Sequence, residues 1–142
     1  MTDDIDAQVV RQFRENGGRV GPPFQSRPII LVHHVGARSG TARVTPLVYI
    51  TDGDAYVIVA SAGAAPTHPG WFHNLTAHPR TRVEVAVADG VRTVTVDAVQ
   101  ATGAERDALY ARMVEAMPFF GNYERTTAGV RTIPLFRLVP VG

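Results

Sequence analysis

Apolar residues recur at helical spacing near the start of the chain, at Ile5, Val9, Val10 and Phe13, with acidic residues before them and Gly17-Gly18 after them. The pattern predicts a short amphipathic helix over about residues 4 to 16. From Pro28 the period changes. Ile29-Ile30-Leu31-Val32, residues 43 to 51 and residues 55 to 61 are apolar runs rich in β-branched side chains. They are divided by Gly36-Ala37-Arg38-Ser39-Gly40 and by Asp52-Gly53-Asp54, and such runs read as consecutive antiparallel strands. Residues 69 to 78 predict a helix, because Pro69 suits a first turn, Trp71 and Leu75 are one turn apart, and Pro79 stops it. Residues 81 to 88 and 91 to 101 predict a hairpin about Asp89-Gly90, with Val83, Val85 and Val87 alternating with Glu84 and Ala86. Thr102-Gly103-Ala104-Glu105 has the form of a capping box, opening a helix whose Leu109, Met113 and Met117 share a face before Pro118 ends it. Residues 133 to 139 predict a last strand.

About six strands with three helices at the edges describe an α+β chain that is mainly β, an antiparallel barrel rather than a doubly wound sheet. The 142 residues fit a single domain, 1 to 142.

Composition mostly excludes. With 45% apolar and 19% charged residues the chain is ordinary globular material, and the lack of cysteine removes disulfides, thiolate metal sites and cysteine nucleophiles. A formal charge of +1 offers no field for nucleic acid. All the basic residues are arginine, the side chain that forks onto phosphate and carboxylate. The segment Met1-Thr2-Asp3-Asp4-Ile5-Asp6 lacks a signal-peptide pattern, and no apolar stretch reaches the ~18 residues of a membrane span. The expectation is a cytoplasmic protein, monomer or homodimer, without stable membrane insertion. Contact with the inner face of the membrane would be peripheral, and Asp3, Asp4 and Asp6 oppose it by repelling anionic lipid.

The dinucleotide, P-loop and nucleophile-elbow motifs are all missing. His33 and His34 point to opposite faces of a strand, and His68, His73 and His78 are five apart, ~140° of helical rotation from one to the next, so no metal is expected. Asp52 and Asp54 flank a hairpin glycine, and turn chemistry explains both.

Three segments remain. In the turn from Gly36 to Gly40 and on to Arg43, two guanidinium groups, hydroxyls and free amides can bind an anion, although a plain hairpin with solvated arginines would look the same. Ala60-Ser61-Ala62-Gly63-Ala64-Ala65-Pro66-Thr67-His68 is a small-residue loop leading into the aromatic helix, able to approach a planar ligand closely. Pro118-Phe119-Phe120-Gly121-Asn122-Tyr123 is an aromatic segment suited to a lid or to a hydrophobic plug.

Gly36, Arg38-Ser39-Gly40, Arg43, Pro46-Leu47, Val59-Ala60-Ser61, Gly63, Pro66, His68-Pro69, Trp71, His73-Asn74-Leu75, Tyr123 and Ile133-Pro134, in this order, resemble the deazaflavin-dependent nitroreductase family over about residues 13 to 140. The resemblance implies a split β-barrel, like that of FMN-binding proteins, which holds reduced coenzyme F420. It implies two-electron reduction of a small-molecule acceptor: a quinone, a nitro-compound or another activated double bond. It would place Arg38, Ser39, Gly40 and Arg43 on the coenzyme's phosphate and acidic tail. Thr45, Pro46, Leu47 and Val48, with Val59, Ala60, Ser61 and Ala62, would line the channel. Trp71, Phe72, His73, Asn74 and Leu75 would hold the deazaflavin side, and Phe120 and Tyr123 would cover the substrate cavity. Ser61, Tyr123 and Tyr49 are the candidate hydrogen-bond donors to the substrate. Ala37 and Ala62 stand where relatives often carry cations, and Phe120 and Val48 where some carry tyrosine. The rival expectations are a non-catalytic carrier of a deazaflavin or lipophilic ligand, and an FMN-binding reductase.

Overall fold

A computed structural model describes residues 2 to 21 and 27 to 141, without the side chains of residues 2 to 4. The expected role of Asp3 and Asp4 against lipid therefore lies outside the described side chains. Among these residues the elements are α1 (Thr2–Glu15), β1 (Ile29–Val35), β2 (Ala42–Val48), β3 (Ile50–Asp52), β4 (Ala55–Val59), a single 3-10 turn (Ala62–Ala64), α2 (Gly70–Ala77), β5 (Arg80–Val87), β6 (Gly90–Ala101), α3 (Gly103–Ala116), α4 (Phe119–Thr127) and β7 (Leu135–Pro140).

One wholly antiparallel sheet runs β2-β1-β5-β6-β7-β4-β3. Its two outermost strands are joined by Tyr49 alone, and one linking residue holds Val48 and Ile50 within ~7 Å at full chain extension. The two edges of the sheet must therefore meet, which curls it into a split barrel. Seven strands stand where about six were expected, because the run over 43 to 51 breaks at Tyr49 into two strands with different neighbours. Pro46 sits in β2, opposite Leu31, where an edge strand tolerates a missing amide donor.

Both faces of the sheet are covered, which explains the unbroken apolar runs of β1 and β4. Ile30, Val32, Ile58 and Ala60 point inward, and Trp71 and Leu75 of α2 pack among them inside the barrel. Ile29 and Leu31 point outward beneath Phe13 of α1. Val57 and Val59 point outward beneath Leu109, Met113 and Phe120 of α3 and α4. A buried carboxylate also ties α1 down: Glu84 accepts from Arg14 Nε and Nη2 at 3.0 and 2.7 Å and from His33 Nε2 at 2.8 Å. The Arg14 hydrogen bond is the main reason its pKa lies below the usual carboxylate range.

Three expectations need correction. Thr102 precedes α3 but no side-chain capping bond forms, so the capping box is not made. The aromatic segment after Pro118 is the start of α4, whose Phe120 is 3% exposed and packs on Tyr110, Phe119 and Tyr123. Asp52 is more than a turn residue, since it accepts from Arg112 Nη1 and Arg137 Nε at 3.1 Å each. No helix is long and apolar enough to cross a membrane among the described residues.

Candidate active site

The arginine turn holds its own shape. Gly36 N–H donates to Thr41 O at 2.9 Å, Gly40 N–H to Gly36 O at 3.0 Å, and Thr41 N–H to Ser39 Oγ at 3.2 Å. A Cβ on Gly36 would lie 2.3 Å from Ser39 Oγ, so that hydroxyl would have to move, and Gly40 has φ +70, a conformation that side chains rarely adopt. Arg38 and Arg43 are exposed, and neither is paired with a carboxylate among the described residues.

Opposite the turn stands α2. It opens after Pro69, which supplies no capping side chain to its first amides. Between turn and helix lies a cleft of about 530 Å³, walled by Arg38, Ser39 and Arg43 on one side and Gly70, His73 and Asn74 on the other. Asn74 joins the two walls, its Oδ1 accepting from Ala37 N–H at 2.9 Å while its Nδ2 lies 2.9 Å from His34 Nδ1. Because Asn74 Nδ2 can only donate, His34 Nδ1 accepts and His34 Nε2–H donates to Thr45 Oγ1 at 2.8 Å. His34 is thus held neutral, and burial, then the nearby Arg43 charge, push its pKa down.

Strand alternation sorts the expected lining residues. The pairings Val32 with Thr45, His34 with Arg43 and Ile30 with Leu47 put Arg43, Thr45 and Leu47 on the inner face. Tyr49 continues that face, packed edge-on against Tyr56 with ring centroids 5.7 Å apart. Pro46 lies opposite Leu31 and Val48 opposite Ile29, so their side chains are on the outer face and only their backbone borders the channel. Likewise Ala60 faces inward while Val59 faces α3. On α2, Trp71 and Leu75 are core residues, 8% and 0% exposed, whereas Phe72 is half-buried and His73 exposed. Phe72, Tyr49 and Tyr56 are partly buried and pack against the same inner cluster as Trp71 and Leu75.

The candidate donors fall in different places. Tyr49 belongs to the barrel interior, and burial, then Tyr56, raise its pKa and keep the phenol protonated. Tyr123 packs with Phe119 and Phe120 in the cluster under α4. Ser61, at 9% exposure, follows β4. None of these three hydroxyls has a protein hydrogen-bond partner among the described residues. By contrast Tyr110 O–H is committed to Phe120 O at 2.7 Å, and burial pushes its pKa up to about 12.

Two structural features beside the cleft escaped the sequence. One is the His34–Asn74–Ala37 chain. The other is Arg131, which grips the loop after β4 through the carbonyls of Ala60, Ser61 and Ala65. A visible signal for Arg131 is its place two residues before Ile133-Pro134 with no acidic neighbour in the chain; nothing in the sequence links His34 to Asn74. Among the described residues no group of three or more His, Asp or Glu could hold a metal.

The His34 arrangement makes a pH prediction. A histidine whose folded pKa is depressed contributes its full stability above the unfolded value of about 6.5, and loses it as pH falls below that value toward the folded one. His68, depressed by burial and then by Arg131, has the same sign. The urea midpoint should fall between pH 7.5 and pH 5.5, and His34→Gln should flatten the slope. An unchanged slope in that variant would refute the assignment.

The sequence matches the family described as F420H(2)-dependent quinone reductase over residues 7–140. It is 38% identical over 129 residues to the F420H(2)-dependent quinone reductase Rv1261c of Mycobacterium tuberculosis, covering 87% of this chain and 81% of that protein. The fold is similar to a solved F420-H2 dependent reductase, FDR-A, at 37% identity and TM-score 0.65, covering 79% of this chain and 94% of the other. It is also similar to a structure described as a domain-swapped dimer, at 34% identity and TM-score 0.67, covering 96% and 98% of the two chains.

Proposed function

This chain belongs to the F420H(2)-dependent quinone reductase family, and from that membership we propose that it reduces a quinone, a nitro-compound or another activated double bond, using reduced coenzyme F420 held along the inner face of β2. The observation that carries the placement is the series Arg43, Thr45 and Leu47 on one face of β2, continued by Tyr49 just past its end. At ~3.3 Å per residue it spans ~20 Å, from carboxylate-free guanidinium groups at the rim to aromatic rings in the interior. A ligand with an anionic tail and a planar head matches that gradient. The residues present fit the coenzyme, with Arg38, Ser39 and Arg43 taking its charged end and Phe72, His73 and Tyr49 its ring.

When bound, the reduced deazaflavin supplies a hydride. The chain itself supplies orientation, exclusion of water and hydrogen bonding. Trp71 and Leu75 anchor α2 in the core, and Asn74 ties the two walls of the cleft together. Tyr49 and Ser61 have hydroxyls free to donate to an acceptor oxygen as negative charge develops there, and Tyr123 is the third candidate. Loss of one such donor typically costs about 3 kcal/mol in the transition state. Cytoplasmic location belongs to the same proposal, since an anionic coenzyme does not cross a bilayer and must be met where it is made. A monomer or a homodimer would serve this chemistry, and sedimentation distinguishes them.

The test is stopped-flow oxidation of reduced F420 by menadione or a nitroarene. Rapid turnover that slows at least tenfold in Tyr49→Phe or Ser61→Ala is expected. Tight binding with no turnover of any acceptor would leave a carrier, and a protein purified with a flavin spectrum would replace the coenzyme assignment.

A further inference from the structure

We propose that Arg131 is a positioning residue for the coenzyme pocket, its guanidinium gripping residues 60 to 65 so as to hold the left-handed turn at residues 62 to 64, and locking His68 as the tautomer with its proton on Nε2. The inference rests on the placement of the coenzyme given above, because the loop it concerns borders that site through Ala60 and Ser61.

The only non-glycine residues with positive φ among the described residues are Ala62 at 49° and Ala64 at 68°, and Gly63 between them is at 62°. Three successive residues in the left-handed region, two of them bearing a Cβ, are unfavourable and persist only when the surroundings impose them. Arg131 is what imposes them here. Its Nε donates to Ala65 O at 2.9 Å, Nη1 to Ala60 O at 3.1 Å and Nη2 to Ser61 O at 2.7 Å, so the planar fork grips the chain on both sides of the turn. These contacts are 66 to 71 residues apart in sequence. No carboxylate pairs with Arg131 among the described residues; its donors are spent on the loop.

The remaining bond sets a tautomer. Arg131 Nη1 lies 2.8 Å from His68 Nδ1, and since a guanidinium only donates, Nδ1 must be the acceptor. The proton of neutral His68 is thereby on Nε2, as a fixed donor suited to a carbonyl or anionic oxygen. The His68 ring leans on Phe72, with centroids 4.7 Å apart, and lies 6.2 Å from His73, which lines the cleft. A lysine keeps the charge but cannot span three carbonyls and a ring nitrogen in one plane.

The experiment compares wild type, R131K and R131Q with R106K as control. Arg106 donates twice to Ile133 O and also pairs with Glu124, but does not touch the loop. Three measurements are needed: the melting temperature, the dissociation constant for oxidised F420, and the protonation of the histidine ring nitrogens by nitrogen-15 NMR in the ligand-free protein. The expected result is that R131K and R131Q both weaken coenzyme binding at least tenfold and release His68 into a tautomer mixture, whereas R106K lowers the melting temperature and leaves affinity within twofold. Unchanged affinity in R131K, or a protonated Nδ1 on neutral His68 in the wild type, overturns the proposal. If R131K does not fold, A64G decides the clamp: relief of a held strain raises the melting temperature, and a fall overturns it. Should the wild type not bind F420 at all, the functional placement fails, while the NMR and A64G measurements still test the clamp.

Discussion

Replacing Arg38 and Arg43 together by alanine is expected to weaken binding of oxidised F420 about 100-fold, the loss of two charge-assisted contacts at a partly solvated site. Both guanidinium groups stand at the rim of the cleft without an acidic partner among the described residues. Their removal therefore breaks no ion pair within the protein. The melting temperature should be almost unchanged, which separates a binding defect from a folding defect. The wild-type dissociation constant should rise steeply with salt, and the double variant should lose much of that dependence, because exposed charges are screened over about 10 Å at 0.1 M salt. Fluorescence titration at two salt concentrations measures all of this. An affinity unchanged in the variant would put the charged end of the coenzyme somewhere else.

Asn74→Ala should hurt both stability and binding, for it removes two hydrogen bonds at once. The buried His34 Nδ1 loses its donor and the Ala37 N–H loses its acceptor, both at 2.9 Å. Exposed Ala37 can turn to water, whereas His34 cannot without rearrangement. The cost should be about 2 kcal/mol, or roughly 6 °C in melting temperature for a chain of this size. With the arginine turn no longer tied to α2, coenzyme affinity should drop about tenfold more than the melting change explains. Asn74→Asp provides the converse test. A carboxylate there still accepts from Ala37 N–H but now also accepts from a protonated His34, so the His34 pKa should rise above its ordinary value and acid destabilisation should weaken. If His34 titrates identically in Asn74→Asp and wild type, the Asn74 link is not what holds it neutral.

The limits of sequence reading are clear at particular residues. Periodicity placed Trp71 and Leu75 on a helix but could not say whether that helix offered them to a ligand or to the core. The packing decides, because Ile30, Val85 and Phe136 close over them inside the barrel. The run over residues 43 to 51 read as one strand, since nothing local marks Tyr49 as the point where the edges of a sheet exchange. A stretch opening Pro118-Phe119-Phe120-Gly121 reads as a break, yet it begins α4, where tertiary contacts with Tyr110 and Met113 outweigh a weak local propensity.

By itself the sequence determined the antiparallel β character, the arginine turn and the helix after Pro69, which depend on neighbours within a few residues, and the family resemblance, which rests on the order of short motifs along the chain. Only the tertiary structure decided which alternate side chains of β2 face the interior, that Asn74 bridges two segments some forty residues apart, and that Arg131 grips a loop about seventy residues away. The reason is physical: turn and helix signals are local free energies written in short windows. A hydrogen bond between distant residues exists only after the chain has bridged the loop between them, and no local pattern encodes that encounter.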